Sequence, residues 1–222
     1  MGNLLETGKR LWARWHEVIG ACLLAILAVY LLSGYFTTVR FDEERIEVSV
    51  EEGLIHVCGF YHYRNVSHLP AALTLGIPFP VDRDHALPET YTLAEVHRDG
   101  RLTRELVPRG GPSALHIRLL FRPGEGKWIR LDYWQRTRSR RGCYLLTTTR
   151  AWGRPIRAAS FRLRLPPGYH LDTSNYRVWE VPGSQGGLVF TFSESDFFPD
   201  RDWTFSWQAP QSLSASREGG VQ

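Results

Sequence analysis

Three groups of residues have types and spacing suited to chemistry. His56, Cys58 and His62 fall on one face of a predicted strand, since side chains at even separations point the same way. An imidazole and a thiolate at i and i+2 could share a zinc or copper ion. A strand rises about 3.3 Å per residue, so the set spreads over roughly 20 Å and His62 cannot join without a second strand. Asp82 and Asp84, echoed by Asp200 and Asp202, offer paired carboxylates of the kind that bind Ca²⁺. Neither stretch has the Gly and distal Glu of an EF-hand loop, so turn capping and surface ion pairing are the expected roles. Arg136, Arg138, Arg140 and Arg141 form the densest positive run, suited to an anionic membrane surface or an acidic partner.

The signatures of catalysis are missing from the sequence. His16-Glu17 lacks the second His of a metalloprotease helix, and Gly183 to Gly187 lacks the Lys of a phosphate-binding loop. There is no Gly-x-Ser-x-Gly elbow. No carboxylate spacing selects a glycoside-cleaving pair. The chain is therefore expected to be no enzyme and to carry neither metal nor cofactor. Asn65-Val66-Ser67 fits a glycosylation acceptor, which matters only in a eukaryote.

The element that would position everything else is Val18 to Phe36, an uncharged run. As a helix it reaches roughly 28 Å, close to the hydrocarbon thickness of a bilayer. The reading is one membrane-spanning helix. Lys9, Arg10 and Arg14 precede it and Asp42, Glu43 and Glu44 follow, which places residues 1–17 in the cytoplasm and the body outside. Trp12 and Trp15 suit one interface and Tyr35 the other. Gly20, Ala21, Ala25, Ala28 and Ser33 offer small surfaces for close helix contact. A cleaved signal peptide is disfavoured by the length of the run and by Leu31-Leu32-Ser33-Gly34-Tyr35, a poor cleavage site. A buried core helix would seldom be apolar all round. Lipidation at Cys22 or Gly2 does not fit the patterns.

The remaining body, residues 37–209, is long enough to bury a core without staples. A tail follows at 210–222, small and polar, which reads as disordered. The net charge of +4 is too mild for nucleic acid. Lys9 and Lys127 are the only lysines, an Arg bias that suits a high-GC bacterial genome. In an oxidising compartment Cys58 and Cys143 are a disulfide candidate, with buried free thiols as the alternative. A bridge would close a loop of about 85 residues and contribute ~4 kcal/mol on the chain-entropy model.

Alternation sets the fold class. Ile46, Val48 and Val50 oppose Arg45, Glu47 and Ser49; Ile55, Val57, Tyr61 and Tyr63 oppose His56, Cys58, Phe60 and His62. Asp99-Gly100 marks a hairpin between 91–97 and 102–107. Further strands are predicted at 71–77, 113–121, 127–135, 143–149, 158–165, 176–181, 188–192 and 203–208, with 80–90 a polar loop. This pattern predicts an all-β body, an antiparallel β-sandwich of immunoglobulin-like or jelly-roll-like type.

The segments GFYHYRNVSHLPAALTLGIPFP, YLLTTTRAW and ASFRLRLPPGYHL resemble β-sandwich domains of uncharacterised bacterial membrane-anchored proteins. They are also similar to the β-domain that precedes the catalytic domain of zinc aminopeptidases. The likeness implies fold; the peptidase metal motif is absent, so no catalytic residue carries over. The function expected is a single-pass inner-membrane protein whose periplasmic sandwich serves as an accessory subunit, contacting lipid and membrane-protein partners. The alternatives are a carrier or sensor for a lipid, sugar or peptide, and an anchored hydrolase.

Overall fold

Alternating side chains write the first hairpin, β1 (Val39–Glu51) and β2 (Leu54–Asn65). Ile46, Val48 and Val50 are buried and Arg45, Glu47 and Ser49 half-buried, and the two faces of β2 divide in the same way. The strands run antiparallel with Val48 opposite Val57 and Glu44 opposite Tyr61. A bulge at Asp42 inserts one residue between Phe41 and Glu43. Phe41 thus stays on the inner face, and Glu44 also lies inward, in the row of Ile46, Val48 and Val50.

The structure is a computed structural model and describes residues 38–110, 114–183 and 186–210. Beyond the first hairpin come β3 (Ala71–Pro78), β4 (His85–Val96), β5 (Leu102–Glu105), β6 (Ala114–Phe121), β7 (Gly126–Thr137) and β8 (Arg141–Tyr144). A short 3-10 helix, Thr147–Trp152, leads into β9 (Ile156–Leu165), β10 (His170–Ser174), β11 (Trp179–Val181), β12 (Leu188–Phe197) and β13 (Trp203–Gln208).

These strands build two layers. One is an eight-stranded sheet in the order β11-β12-β9-β1-β2-β7-β4-β5. The other is split between a three-stranded sheet, β10-β13-β8, and a two-stranded sheet, β3-β6. Trp203 of β13 is fully buried and meets Phe161 of β9 and Phe192 of β12 edge-on, with centroids 5.7 and 5.1 Å apart. Phe79, just after β3, meets Tyr133 of β7 at 5.0 Å. Burying aromatic and aliphatic side chains of this size stabilises by roughly 1.5–3 kcal/mol each. The core is continuous under both small sheets.

The all-β body is as the alternation predicts, with four differences of detail. The sandwich is not wholly antiparallel: β1 and β9 run parallel. The strand predicted at 143–149 stops at Tyr144 and becomes the 3-10 helix. Its threonines read as β-formers, yet Thr149 Oγ1 donates to the Leu146 carbonyl and Thr147 Oγ1 to Asp202, and these local bonds replace a ladder. The second half of the predicted loop at 80–90 is strand, paired with β7 from His85 onward. His170–Ser174, left without a predicted strand, pairs with β13.

The span at 18–36, with Gly20, Ala21, Ala25, Ala28, Ser33, Tyr35 and the preceding Trp12 and Trp15, lies outside the described residues, as does the tail beyond 210. Among the described residues no helix is long and apolar enough to cross a membrane.

Candidate functional site

A crevice between β3 and the segment that follows β8 reaches down to the inner face of the large sheet. There Glu44 of β1 lies among aromatic rings. Its carboxylate is almost completely buried, at 2% exposure. Tyr144 of β8 donates its phenol hydrogen to Glu44 Oε1 at 2.8 Å, and the Tyr61 and Tyr144 hydroxyls meet at 2.9 Å. With Tyr144 donating to Glu44, Tyr61 is the donor to Tyr144. Glu44 Oε2 is buried with no hydrogen-bond partner. Burial pushes the Glu44 carboxyl up from 4.5 to about 7, against the opposing pull of the Tyr144 hydrogen bond.

A cavity of about 70 Å³ opens beside this carboxylate. Its floor is Glu44, Tyr61, Tyr63 and Tyr133 of the large sheet; its walls are Leu75–Pro78 on one side and Leu145, Thr148, Thr149 and Trp152 on the other. Phe41, Tyr63 and Trp152 form an aromatic cluster at its edge, with centroids 4.9 to 5.8 Å apart. The exposed Thr148 and Gly76 stand at the mouth. Glu44 is the one charged side chain in the lining. The arrangement can bind a small ligand through the Glu44 carboxyl, the phenols and the aromatic faces.

The outer face of the large sheet carries the His and Cys set. His56 stacks on Trp134 at 4.3 Å and His62 on Trp128 at 4.7 Å, so the two imidazoles are held apart on different rings. His56 Nε2 lies 2.5 Å from Asp132 Oδ1, and Arg130 donates to Asp132 Oδ2 at 2.6 Å. Asp132 is also the hydrogen-bond neighbour of Cys58. Its carboxyl sits below the ordinary carboxylate range because these donors outweigh the burial that would raise it. Burial and the Asp132 charge push the Cys58 thiol up to about 11, the wrong direction for a nucleophile. Among the described residues no group of three or more His, Cys, Asp or Glu side chains is placed to hold a metal.

The disulfide candidate is not a disulfide here: Cys58 and Cys143 are both free. Each alternates with residues that face the core, Val57 and Gly59 for one, Gly142 and Tyr144 for the other. Since Tyr61 and Tyr144 meet between the layers, the two thiols lie on opposite outer surfaces of the sandwich. Asp82 Oδ1 accepts from the Asp84 and His85 amides and lies 2.9 Å from His85 Nδ1, a turn cap with its acceptor spent. Asp202 Oδ1 accepts from the amides of Leu146 and Thr147 and from Thr147 Oγ1, closing the start of the 3-10 helix. Asn65 is fully buried, and its amide donates to the Leu69 and Arg122 carbonyls, so it is not presented to a glycan.

Arg136, Arg138, Arg140 and Arg141 are all exposed. Arg136 pairs with Glu89 at 2.7 Å; the other three have no ion pair among the described residues. The run lies at the end of the large sheet opposite Val39, because Arg136 pairs with Leu54, which pairs with Glu51. Twelve steps along β1 make that separation roughly 40 Å.

No family model and no curated protein matches this chain. Solved structures do match in fold. A candidate nutrient-binding protein of Legionella pneumophila superposes with a TM-score of 0.59 at 14% identity, over 77% of this chain and 67% of the other. An M1 zinc metallopeptidase of Deinococcus radiodurans superposes with a TM-score of 0.45 at 11% identity. It shares 76% of this chain, which spans only 42% of the peptidase.

Reasoning from sequence missed Glu44, counted there only among the acidic residues that follow the expected span. The signal was its parity: Glu44 continues the inward series of Val50, Val48 and Ile46.

Proposed function

We propose that this chain is a non-catalytic binding protein of the cell envelope, tethered by the 18–36 span, which holds a small ligand in the crevice over Glu44. The observation that supports this most is the unpartnered Glu44 Oε2, buried beside a cavity that reaches the surface at Thr148. A native protein seldom leaves a buried carboxylate oxygen unsatisfied unless a ligand or water completes it. The Legionella protein of similar fold carries a nutrient-binding description, which is compatible with this use. The cavity is too small for a lipid or an oligosaccharide, since pockets that enclose drug-sized molecules run to about 300 Å³ or more. The carrier reading therefore narrows to a small molecule or to the tip of a larger one.

The test is a thermal-shift screen of the purified full chain in mild detergent against small amines, amino acids, sugars and short peptides. At least one class should raise the melting temperature, and Thr148→Trp, which plugs the mouth, should abolish the shift. No stabilisation by any class would overturn the reading. Protease added to spheroplasts should digest the body and spare residues 1–17; protection of the body would remove the assignment of side.

A second reading, the accessory subunit, rests on the β4–β5 edge of the large sheet. Leu102 and Val107 are 57% and 90% exposed there, with Tyr91 at 45%. An edge of this kind suits strand addition by a partner. Crosslinking in intact membranes from residue 102 should trap one partner species; random or absent adducts would count against it.

A further inference from the structure

Resting on the crevice reading, we propose that the ligand is a primary amine, bound by its ammonium head against Glu44 and the aromatic walls. The charge balance argues for a cation. No Lys or Arg lines the cavity, so an ionised Glu44 has no counter-charge within it. The Tyr61–Tyr144–Glu44 chain supplies one donor, to Oε1, and nothing among the described residues reaches Oε2. An ammonium brings both the missing donors and the missing charge. A neutral alcohol brings a donor only.

The rings argue the same way. Phe41, Tyr61, Tyr63, Tyr133 and Trp152 surround the space. Aromatic faces carry negative quadrupole and attract cations, most strongly where water is excluded. A metal ion is a poor alternative, since hard cations need six or more oxygens and this cavity offers a single carboxylate among phenols. Size then selects among amines. About 70 Å³ is roughly half the ~150 Å³ of an apolar cavity that holds benzene, so it accepts an ammonium with a short unbranched chain. A quaternary head with four methyl groups is too bulky. The rest of the ligand must leave past Gly76 and Thr148, which suits an unbranched aliphatic amine or the terminal amine of a longer chain.

The test is an NMR titration of the full chain in detergent micelles with three probes: n-propylamine, n-propanol and tetramethylammonium. At pH 8 propylamine should shift the resonances of Tyr63 and Trp152 and bind at least tenfold tighter than either comparison probe. Its affinity should fall at least fivefold between pH 8 and pH 5.5, as Glu44 takes up a proton. Glu44→Gln should lose at least tenfold in propylamine affinity and leave propanol unchanged. If that variant does not fold, Thr148→Trp serves in its place and should abolish propylamine binding with the spectrum otherwise native. Propanol binding as tightly as propylamine, or pH-independent binding, overturns the amine assignment while the crevice remains a ligand site. Tetramethylammonium binding as tightly overturns the preference for a primary head. If no probe moves the lining resonances and no class stabilises the chain in the screen above, the crevice reading falls and takes this one with it.

Discussion

Tyr144 of β8 and Glu44 of β1 are a hundred residues apart and are joined by a 2.8 Å hydrogen bond between the two layers. The bond ties the small three-stranded sheet to the large one through a buried carboxyl. Glu44 has its pKa raised from 4.5 to about 7 by burial, so the folded chain binds a proton that the unfolded chain has already released across that window. Stability is therefore greatest below about pH 4.5 for this group and is lost as pH rises to about 7. The full loss is roughly 3–4 kcal/mol, from about 1.4 kcal/mol per pKa unit. Urea midpoints measured from pH 5 to pH 8 should fall accordingly. Glu44→Gln should flatten that fall and be the more stable protein at pH 8. A mutant with an unchanged slope would show that Glu44 is not the titrating group.

Tyr144→Phe tests the same bond from the other side. The phenol lowers the Glu44 pKa, so its loss should raise that pKa further and extend the pH window upward. At pH 8 the cost should be about 1.5–3 kcal/mol, the range for a hydrogen bond to a charged group. At pH 5, where Glu44 is neutral, the cost should be smaller. Chemical denaturation at the two pH values reads the difference directly.

The inward rows of β1 and β2 were legible because burial on one face imposes a period of two, and the same period carries on to Glu44. What hid Glu44 was its neighbourhood, since Asp42-Glu43-Glu44 beside an expected span reads as solvated charge. The bulge at Asp42 that restores Phe41 to the core leaves no periodic mark. The aromatic partners lay beyond local reach, because Tyr144 and Trp152 arrive from a distant strand and helix that periodicity cannot order. The parallel β1–β9 pairing was hidden for the same reason: alternation predicts that a strand exists, not which neighbour it takes. The helix at Thr147–Trp152 depends on Asp202, and no window around the threonines contains that acceptor.

The two thiols should be slow to react. Cys58 and Cys143 both have pKa values raised to about 11, by burial first and by nearby carboxylates second. An unperturbed thiol near 8.5 has a thiolate fraction at pH 8 about two orders of magnitude larger. Iodoacetamide labelling of the native chain at pH 8 should accordingly be ~100-fold slower than in urea. Cys58 and Cys143, read by peptide mapping apart from Cys22, should both label without prior reduction, and identical gel mobility of the monomer band with and without reductant should accompany this. A mobility shift would show that the pair had bridged after all.

Asp200 and Asp202 look alike in the sequence and should behave differently. Asp200 is 71% exposed and makes a 3.6 Å ion pair with Arg201, a contact worth ~0–1 kcal/mol at a surface. Asp202 accepts three hydrogen bonds, two of them from the Leu146 and Thr147 amides, which have no strand partner once β8 has ended. Asp202→Ala removes the acceptor and leaves the Leu146 amide unpaired on a fully buried residue, at a cost of about 2 kcal/mol. For a domain of this size that lowers the melting temperature by roughly 4–8 °C. Because this helix forms one wall of the Glu44 crevice, the same variant should weaken ligand stabilisation as well. Asp200→Ala should leave both quantities unchanged within error, and equal effects from the two variants would show that charge, and not capping, is what this corner needs.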